Sequence, residues 1–296
     1  MKILQDKVAV VTGSGRGLGR AYAHALASAG ASVVVNDLDA DVARSVVEEI
    51  EQSGGHAVEC IAPVGPTETA ELLVATAVET FGRLDIMVPN AGLVRDRSLK
   101  KINDDDFDDV IATHLRGTFT CGRAAAQRFA EQGEGGRLIL VGSPAGQYGN
   151  FGQTAYSAAK AGIVCLARTW AMELRKDGVT VNAIIPVALT RMLATIPGMA
   201  EIVEQVEAGA PVPADLRQSG TGTPADVTAL VVFLASDAAA DITGQAVGLG
   251  GDKLALFSHP SEVATVVRDG GFDSDAIAEA WSSVLSEHRQ PVGLPS

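Results

Sequence analysis

Residues 8–19 read Val8-Ala9-Val10-Val11-Thr12-Gly13-Ser14-Gly15-Arg16-Gly17-Leu18-Gly19. An unbroken run of four apolar residues is the pattern of a strand buried on both faces. The glycines behind it give a tight turn, and Arg20 to Ala29 reads as a helix that stops at Gly30. Strand, glycine turn and helix in this order let the backbone approach a pyrophosphate and aim a helix N-terminus at it. Gly13, Gly17 and Gly19, with Arg16 and Leu18 between them, are therefore candidate contacts to a dinucleotide.

Ser32 to Val35 forms the next strand, stopped by Asn36-Asp37. Asp37 lies eighteen residues beyond Gly19. A carboxylate at that place accepts hydrogen bonds from the adenosine ribose hydroxyls and repels a 2′-phosphate. Arg16 pulls the other way, since a guanidinium in the turn can reach such a phosphate. The fixed carboxylate outweighs a mobile surface arginine, so NAD is expected rather than NADP.

The alternation continues. Helices are expected over 41–52, 68–81, 103–132, 155–176 and 224–236, and strands over 57–61, 84–88, 137–142, 179–185 and 245–248. The implied fold class is α/β, a doubly wound parallel sheet of about seven strands with helices on both faces, forming one domain over 1–251. Pro197, Gly198, Gly209, Pro211 and Pro213 interrupt residues 190–222. A loop of that length reads as a lid. Residues 252–296 form an extension with one expected helix, 274–288.

A second stretch carries chemistry. Tyr156 and Lys160 are four residues apart, which places both side chains on one face of a helix. Such a pair is common as plain helix decoration. Here it follows Ser143, which stands just past the apolar run Leu138-Ile139-Leu140-Val141, at a strand end where open α/β sheets place their sites. An ammonium about 4 Å from a phenol, at an effective dielectric of ~20, favours the phenolate by up to ~4 kcal/mol. Tyr156 is then expected to titrate near neutrality, where a general acid/base works best.

Composition narrows the partners. The chain has 296 residues, is 47% hydrophobic and carries a net charge of -13, which disfavours nucleic acid or an anionic membrane as partner. Cys60, Cys121 and Cys165 are widely spaced and form no CxxC, so they are expected as reduced, mostly buried thiols and no metal site is expected. The first residues lack the apolar core of a secretory leader, and the final Gly-Leu-Pro-Ser is not a peroxisomal or retention signal. A cytoplasmic location is the expectation.

These motifs together resemble the short-chain dehydrogenase/reductase family: the glycine turn, Asn90-Ala91-Gly92, Ser143, and Tyr156-x-x-x-Lys160, in the family's order across residues 7–251. The resemblance implies hydride transfer between a nicotinamide and an alcohol or carbonyl carbon. It makes Tyr156 the proton donor or acceptor, and Ser143 the group that orients the substrate oxygen. Lys160 then binds the nicotinamide ribose and acidifies the tyrosine. Asn90, Ala91 and Gly92 line the ribose and nicotinamide side, and Thr190, after Pro186, holds the carboxamide. It also implies a homotetramer or homodimer, with the faces of helices 106–132 and 155–176 available for assembly.

Two positions depart from the family pattern. Pro63-Val64 replaces the usual Asp-Val at the end of the third strand, which leaves Val64 as the adenine-side residue. His114 stands where an asparagine usually holds a proton-relay water, and imidazole relays protons near neutral pH. Asn90 to Ser98, His114 to Phe119 and Tyr148 to Gln153 are similar to the (3R)-hydroxyacyl-CoA dehydrogenase domain of multifunctional β-oxidation enzymes. That likeness implies a 3-hydroxyacyl thioester as the small-molecule substrate. Alternatives are an NADPH-dependent 3-oxoacyl-[acyl-carrier-protein] reductase, a hydroxysteroid dehydrogenase, or a cofactor-binding scaffold without activity. The basic residues Arg95, Arg97, Lys100 and Lys101 either meet coenzyme A phosphates or pair with Asp104 to Asp109. Met192, Leu193, Ile196 and Met199 either cover an acyl chain or steroid or pack within the lid.

Overall fold

The computed structural model describes residues 2–191, 193–195 and 198–293. The apolar runs become strands β1 Val8–Val11, β2 Ser32–Asp37, β3 His56–Ile61, β4 Ile86–Val88, β5 Gly136–Val141, β6 Val179–Pro186 and β7 Ala246–Gly250, joined by β8 Lys253–Phe257. They form one sheet in the order β3-β2-β1-β4-β5-β6-β7-β8. All neighbours pair parallel except β7 and β8. The sheet thus has eight strands where seven were expected. The stretch after 251 opens with an antiparallel edge strand, because Gly251 turns with φ +51 and returns the chain along β7.

Helices α1 Gly17–Ser28, α2 Ala40–Gln52 and α3 Thr67–Phe81 follow the first three strands. Next come α4 Asp104–Val110 and α5 Gly117–Gln132, joined without a break by a π-helical turn, Ile111–Arg116. Asn103 starts this long element by accepting from the Asp106 amide at 2.7 Å, and three aspartates fill the first turn, where the helix dipole favours them. A short helix, α6 Pro144–Tyr148, leads to α7 Thr154–Glu173. The lid holds α8 Ala200–Glu207 and α9 Ala214–Ser219; α10 Thr228–Ala235 and α11 Ser274–Ser283 complete the set.

Two apolar layers sandwich the sheet. Tyr22, Leu26, Val46, Ile50, Leu230 and Leu234 cover one face; Leu73, Ala77, Phe129, Ile163 and Ala167 cover the other. β1 and β4 are wholly buried, as expected for strands covered on both sides. The strand order reverses between β1 and β4, which opens a crevice at their carboxyl ends.

The lid has a small core of its own. Leu189, Val203 and Val212 are buried in it, with Leu193 and Met199 packed against them. These two residues serve the lid's own packing; Met192 and Ile196 lie outside the described residues. Its ends are joined where the Leu189 amide donates to the Gly222 carbonyl at 2.8 Å. Arg217 fixes its base by pairing with Asp226 and Asp252.

Candidate active site

Short polar side chains shape the glycine turn at the end of β1. Ser14 Oγ donates to the Val11 carbonyl at 2.8 Å and accepts from the Asn36 amide at 3.0 Å. Asn36 Nδ2 donates to the carbonyls of Cys60 and Ala62, tying the end of β3 to the turn. Thr12 Oγ1 accepts from the amides of Asn90 and Ala91 at 2.9 and 3.0 Å, and Asn90 Nδ2 donates to the carbonyls of Thr12 and Gly13. Asn90 therefore turns its side chain into the turn and holds it in place. A Cβ on Gly13 would lie 2.7 Å from Ala91 Cα, so glycine is required where these two segments meet. Thr12, Ser14 and Asn36 were not singled out from sequence; a short polar residue at the end of an apolar strand is the signal that marks them.

Gly17, Leu18 and Gly19 form the first turn of α1, with Arg16 ahead of it and no capping side chain. The leading N–H groups are left to donate to an anion. The Asp37 carboxylate closes the far side, accepting from the Gly15 amide at 3.0 Å and the Leu38 amide at 2.8 Å. Pro186 ends β6, and Thr190 follows over the turn, its Cγ2 being the nearest atom, at 3.9 Å, to the Cβ that Gly17 lacks. Val64, past β3, packs toward Gly117 at the end of the π-turn. The capless helix, the glycine surface and the carboxylate at the end of β2 fit an adenine dinucleotide.

Ser143, Tyr156 and Lys160 come together beside this cradle. Ser143 follows β5 and caps α6, accepting from the Ala145 amide at 3.2 Å. Tyr156 and Lys160 sit in the first two turns of α7. Lys160 is buried, and its Nζ donates to the Val141 carbonyl at 2.6 Å and lies 5.6 Å from the centre of the Tyr156 ring. Burial pulls its pKa down to about 7.

The expected acidification of Tyr156 by Lys160 is not what this arrangement delivers. Burial pushes the phenol above its ordinary value, the Ser143 hydroxyl draws it back, and the charge of Asp96 pushes it up again. The physical reason is that burial of the phenol outweighs the help it receives, and the Lys160 ammonium is directed at the Val141 carbonyl.

His114 stands in the π-turn, with its ring edge-on to Tyr156 at 5.2 Å between centroids. Its Nε2 lies 2.7 Å from the Leu93 carbonyl and 3.1 Å from the Leu93 amide. The shorter contact places the proton on Nε2. That leaves Nδ1 as a buried acceptor with no partner among the described residues. Burial and the nearby Lys160 push the ring's pKa down to about 3, so it stays neutral near pH 7 and does not relay by becoming charged. The π-turn itself carried no signal in the sequence; such turns gather at functional sites.

Around the opening, Arg95 pairs with Asp106 and Asp109 at 3.4 Å. Arg97, Lys100 and Lys101 make no ion pair among the described residues. Arg97 shares a parallel bridge with Gln153, which brings the cluster beside the start of α7.

Comparison with known proteins points the same way. The family model for short chain dehydrogenase matches residues 7–199. Hydroxyacyl-CoA dehydrogenase ChsB1 of Mycobacterium tuberculosis is 43% identical over 279 residues, covering 90% of this chain and 84% of that protein. Peroxisomal multifunctional enzyme type 2 of Mus musculus is 47% identical over 199 residues, covering 64% of this chain. The aligned part is 26% of the mouse enzyme, so this chain spans only a fraction of it. The crystal structure of a short chain dehydrogenase from Mycobacterium avium superposes with a TM-score of 0.84 at 36% identity over 99% of both chains. With the sheet order, the glycine turn and the Ser143, Tyr156 and Lys160 cluster in place, the chain belongs to the short-chain dehydrogenase family of oxidoreductases.

Proposed function

We propose that the chain interconverts the 3-hydroxyl and 3-keto forms of an acyl-coenzyme A-type thioester, with NAD preferred over NADP. The observation that carries this reading is the meeting of Ser143, Tyr156 and Lys160 beside a cradle that ends in Asp37. When bound, a nicotinamide accepts or supplies the hydride at the substrate carbon. Tyr156 exchanges the proton of the substrate oxygen, and Ser143 donates to that oxygen and holds it. Lys160 is poised to donate to ribose hydroxyls and to share its proton with the tyrosine as its own affinity falls to about 7. His114 accepts a hydrogen bond at Nδ1 from a relay hydroxyl while remaining neutral. The names of the relatives from M. tuberculosis and mouse support a hydroxyacyl chain.

The test is NAD reduction by purified protein with 3-hydroxybutyryl-CoA, longer 3-hydroxyacyl-CoAs and a steroid alcohol. Turnover of the thioesters with NAD, lost in Tyr156→Phe while the cofactor still binds, is the expected result. Turnover of the steroid alone, or a clear NADP preference, overturns the reading.

We infer also that the chain assembles as a dimer or tetramer through α5 and α7. Phe119 and Met172 lie exposed on these helices, and light scattering reads the outcome. Cys60, Cys121 and Cys165 are free thiols, two of them buried and Cys165 exposed, and a reducing compartment such as the cytoplasm suits them. None of the described helices is long and apolar enough to cross a membrane.

A further inference from the structure

Gln153 is the residue that caps the N-terminus of α7, yet its side chain makes no capping hydrogen bond. It is drawn away from the helix. Its Nε2 donates to Asp96 Oδ2 at 3.1 Å, across 57 residues of sequence, and its Oε1 accepts from Asn150 Nδ2 at 3.0 Å. The backbone bridge between Arg97 and Gln153 ties the same two loops. Tyr156 is three residues further on, in the first turn. Asp96 Oδ1 is buried and has no partner among the described residues, so the carboxylate is held by one oxygen only.

Two titratable groups stand against the Tyr156 ring, and a third, Asp96, is tied to Gln153 three residues before it. Lys160 comes from α7, His114 from the π-turn and Asp96 from the loop after β4. His114 is neutral, and Lys160 is directed to the Val141 carbonyl. Asp96 is thus the anion of this set. Its neighbour Arg97 does not neutralise it, because the Arg97 guanidinium donates to the Asp96 backbone carbonyl.

We propose that Asp96 is a positioning residue for the acid/base tyrosine: through Gln153 it fixes where the first turn of α7 presents the Tyr156 hydroxyl, and it holds a negative charge beside that turn. This rests on the reading of Tyr156 as the acid/base group. A carboxylate there disfavours the phenolate, so the resting tyrosine keeps its proton. The arrangement suits a residue that must hold a proton until substrate and cofactor are both in place.

Asp96→Asn keeps an acceptor for Gln153 and removes the charge. Asp96→Ala removes both, and Asp96→Glu restores the charge. The phenol is read by ultraviolet difference titration, with Tyr156→Phe as the blank that leaves Tyr22 and Tyr148. Asp96→Asn is expected to titrate below wild type, and the acidic limb of its kcat/KM profile moves with it. Asp96→Ala is expected to lose about tenfold or more in kcat with little change in KM, and Asp96→Glu to recover toward wild type. Circular dichroism at each pH confirms that the variants are folded. A titration of Asp96→Asn that overlays wild type, together with an unchanged kcat in Asp96→Ala, overturns the proposal. If Tyr156→Phe keeps full turnover, the tyrosine assignment fails instead, and the proposal falls with it.

Discussion

The Arg16 guanidinium donates to the Asp39 carboxylate at 2.8 Å. The arginine of the glycine turn is thereby engaged by an acid two residues past Asp37. Under the proposed preference for NAD, Asp37 repels a 2′-phosphate and Asp39 occupies the arginine that would otherwise pair with it. Asp39 is held in its charged form chiefly by the Arg16 hydrogen bond, and its carboxyl titrates below the usual range. Both side chains are solvated, so the pair contributes little to stability.

Releasing the arginine is therefore expected to widen cofactor use. In Asp37→Ala/Asp39→Asn the guanidinium is freed and the ribose-side repulsion removed. The kcat/KM with NADP is expected to rise about tenfold, the size of one charge-assisted hydrogen bond, and the value with NAD to fall by a similar factor. Initial rates with both cofactors measure this. A double variant whose preference is unchanged would show that neither acid reads the ribose.

The basic residues at the opening give a separate prediction for the thioester. Arg97, Lys100 and Lys101 are exposed and without ion-pair partners among the described residues, on a chain of net charge -13. Arg97→Glu/Lys100→Glu is expected to raise KM for an acyl-CoA about tenfold at low salt, and the gap is expected to narrow at high salt. An N-acetylcysteamine thioester has the same reacting end and no phosphates, and its KM is expected to move much less. Equal effects on both substrates would place these charges outside coenzyme A recognition.

The parts legible from sequence were those that depend on local pattern. Val8 to Val11 reads as a buried strand and the glycines after it as a turn, whereas the strand order, and with it the crevice between β1 and β4, is a matter of tertiary pairing. What escaped depends on long-range contact or on hydrogen-bond spacing. Lys253 to Phe257 is a short apolar run behind one lysine, and nothing local says that it folds back on β7. The π-turn at Ile111–Arg116 carries the same side-chain pattern as an α-helical turn, because only the backbone bonding shifts. The expected Tyr156 and Lys160 pairing came from helical spacing alone, which places two residues on one face without saying what else competes for the ammonium. The Val141 carbonyl, nineteen residues away, is that competitor.

Gly92 tests the placement of His114. A side chain at Gly92 would run into the imidazole Cε1, with Nδ1 and Nε2 close behind at 3.0 Å. The ring cannot retreat, since it is buried and bound to Leu93. Gly92→Ala is expected to destabilise by about 1–3 kcal/mol, as overpacking of a buried site does, and to lower kcat because the imidazole is displaced beside Tyr156. Urea unfolding and steady-state rates check the two effects. The pair Gly92→Ala/His114→Ala should recover part of the stability and none of the rate. A fully stable, fully active Gly92→Ala would mean that the ring is not held where the structure puts it.

Lys160 makes the folded protein sensitive to alkaline pH in a direction opposite to most lysines. Burial lowers its pKa from 10.5 to about 7. Between these values the unfolded chain binds a proton that the folded chain does not, so stability rises with pH across that window. Below pH 7 both forms are charged, and the cost of burying the ammonium is carried in full, on the order of 5 kcal/mol. Lys160→Met removes the titrating group while keeping an unbranched chain in the same space. At pH 6 this variant is expected to be the more stable of the two. Its advantage should shrink as the pH rises from 7 toward 10.5, above which wild-type Lys160 is neutral in both states. Urea melts of wild type and variant at pH 6, 8 and 10 measure the difference, and effects from other groups cancel in it. A difference that does not vary with pH would mean that the ammonium keeps its charge inside the fold, and the Val141 carbonyl would then have to be stabilising it far more than one hydrogen bond ordinarily does.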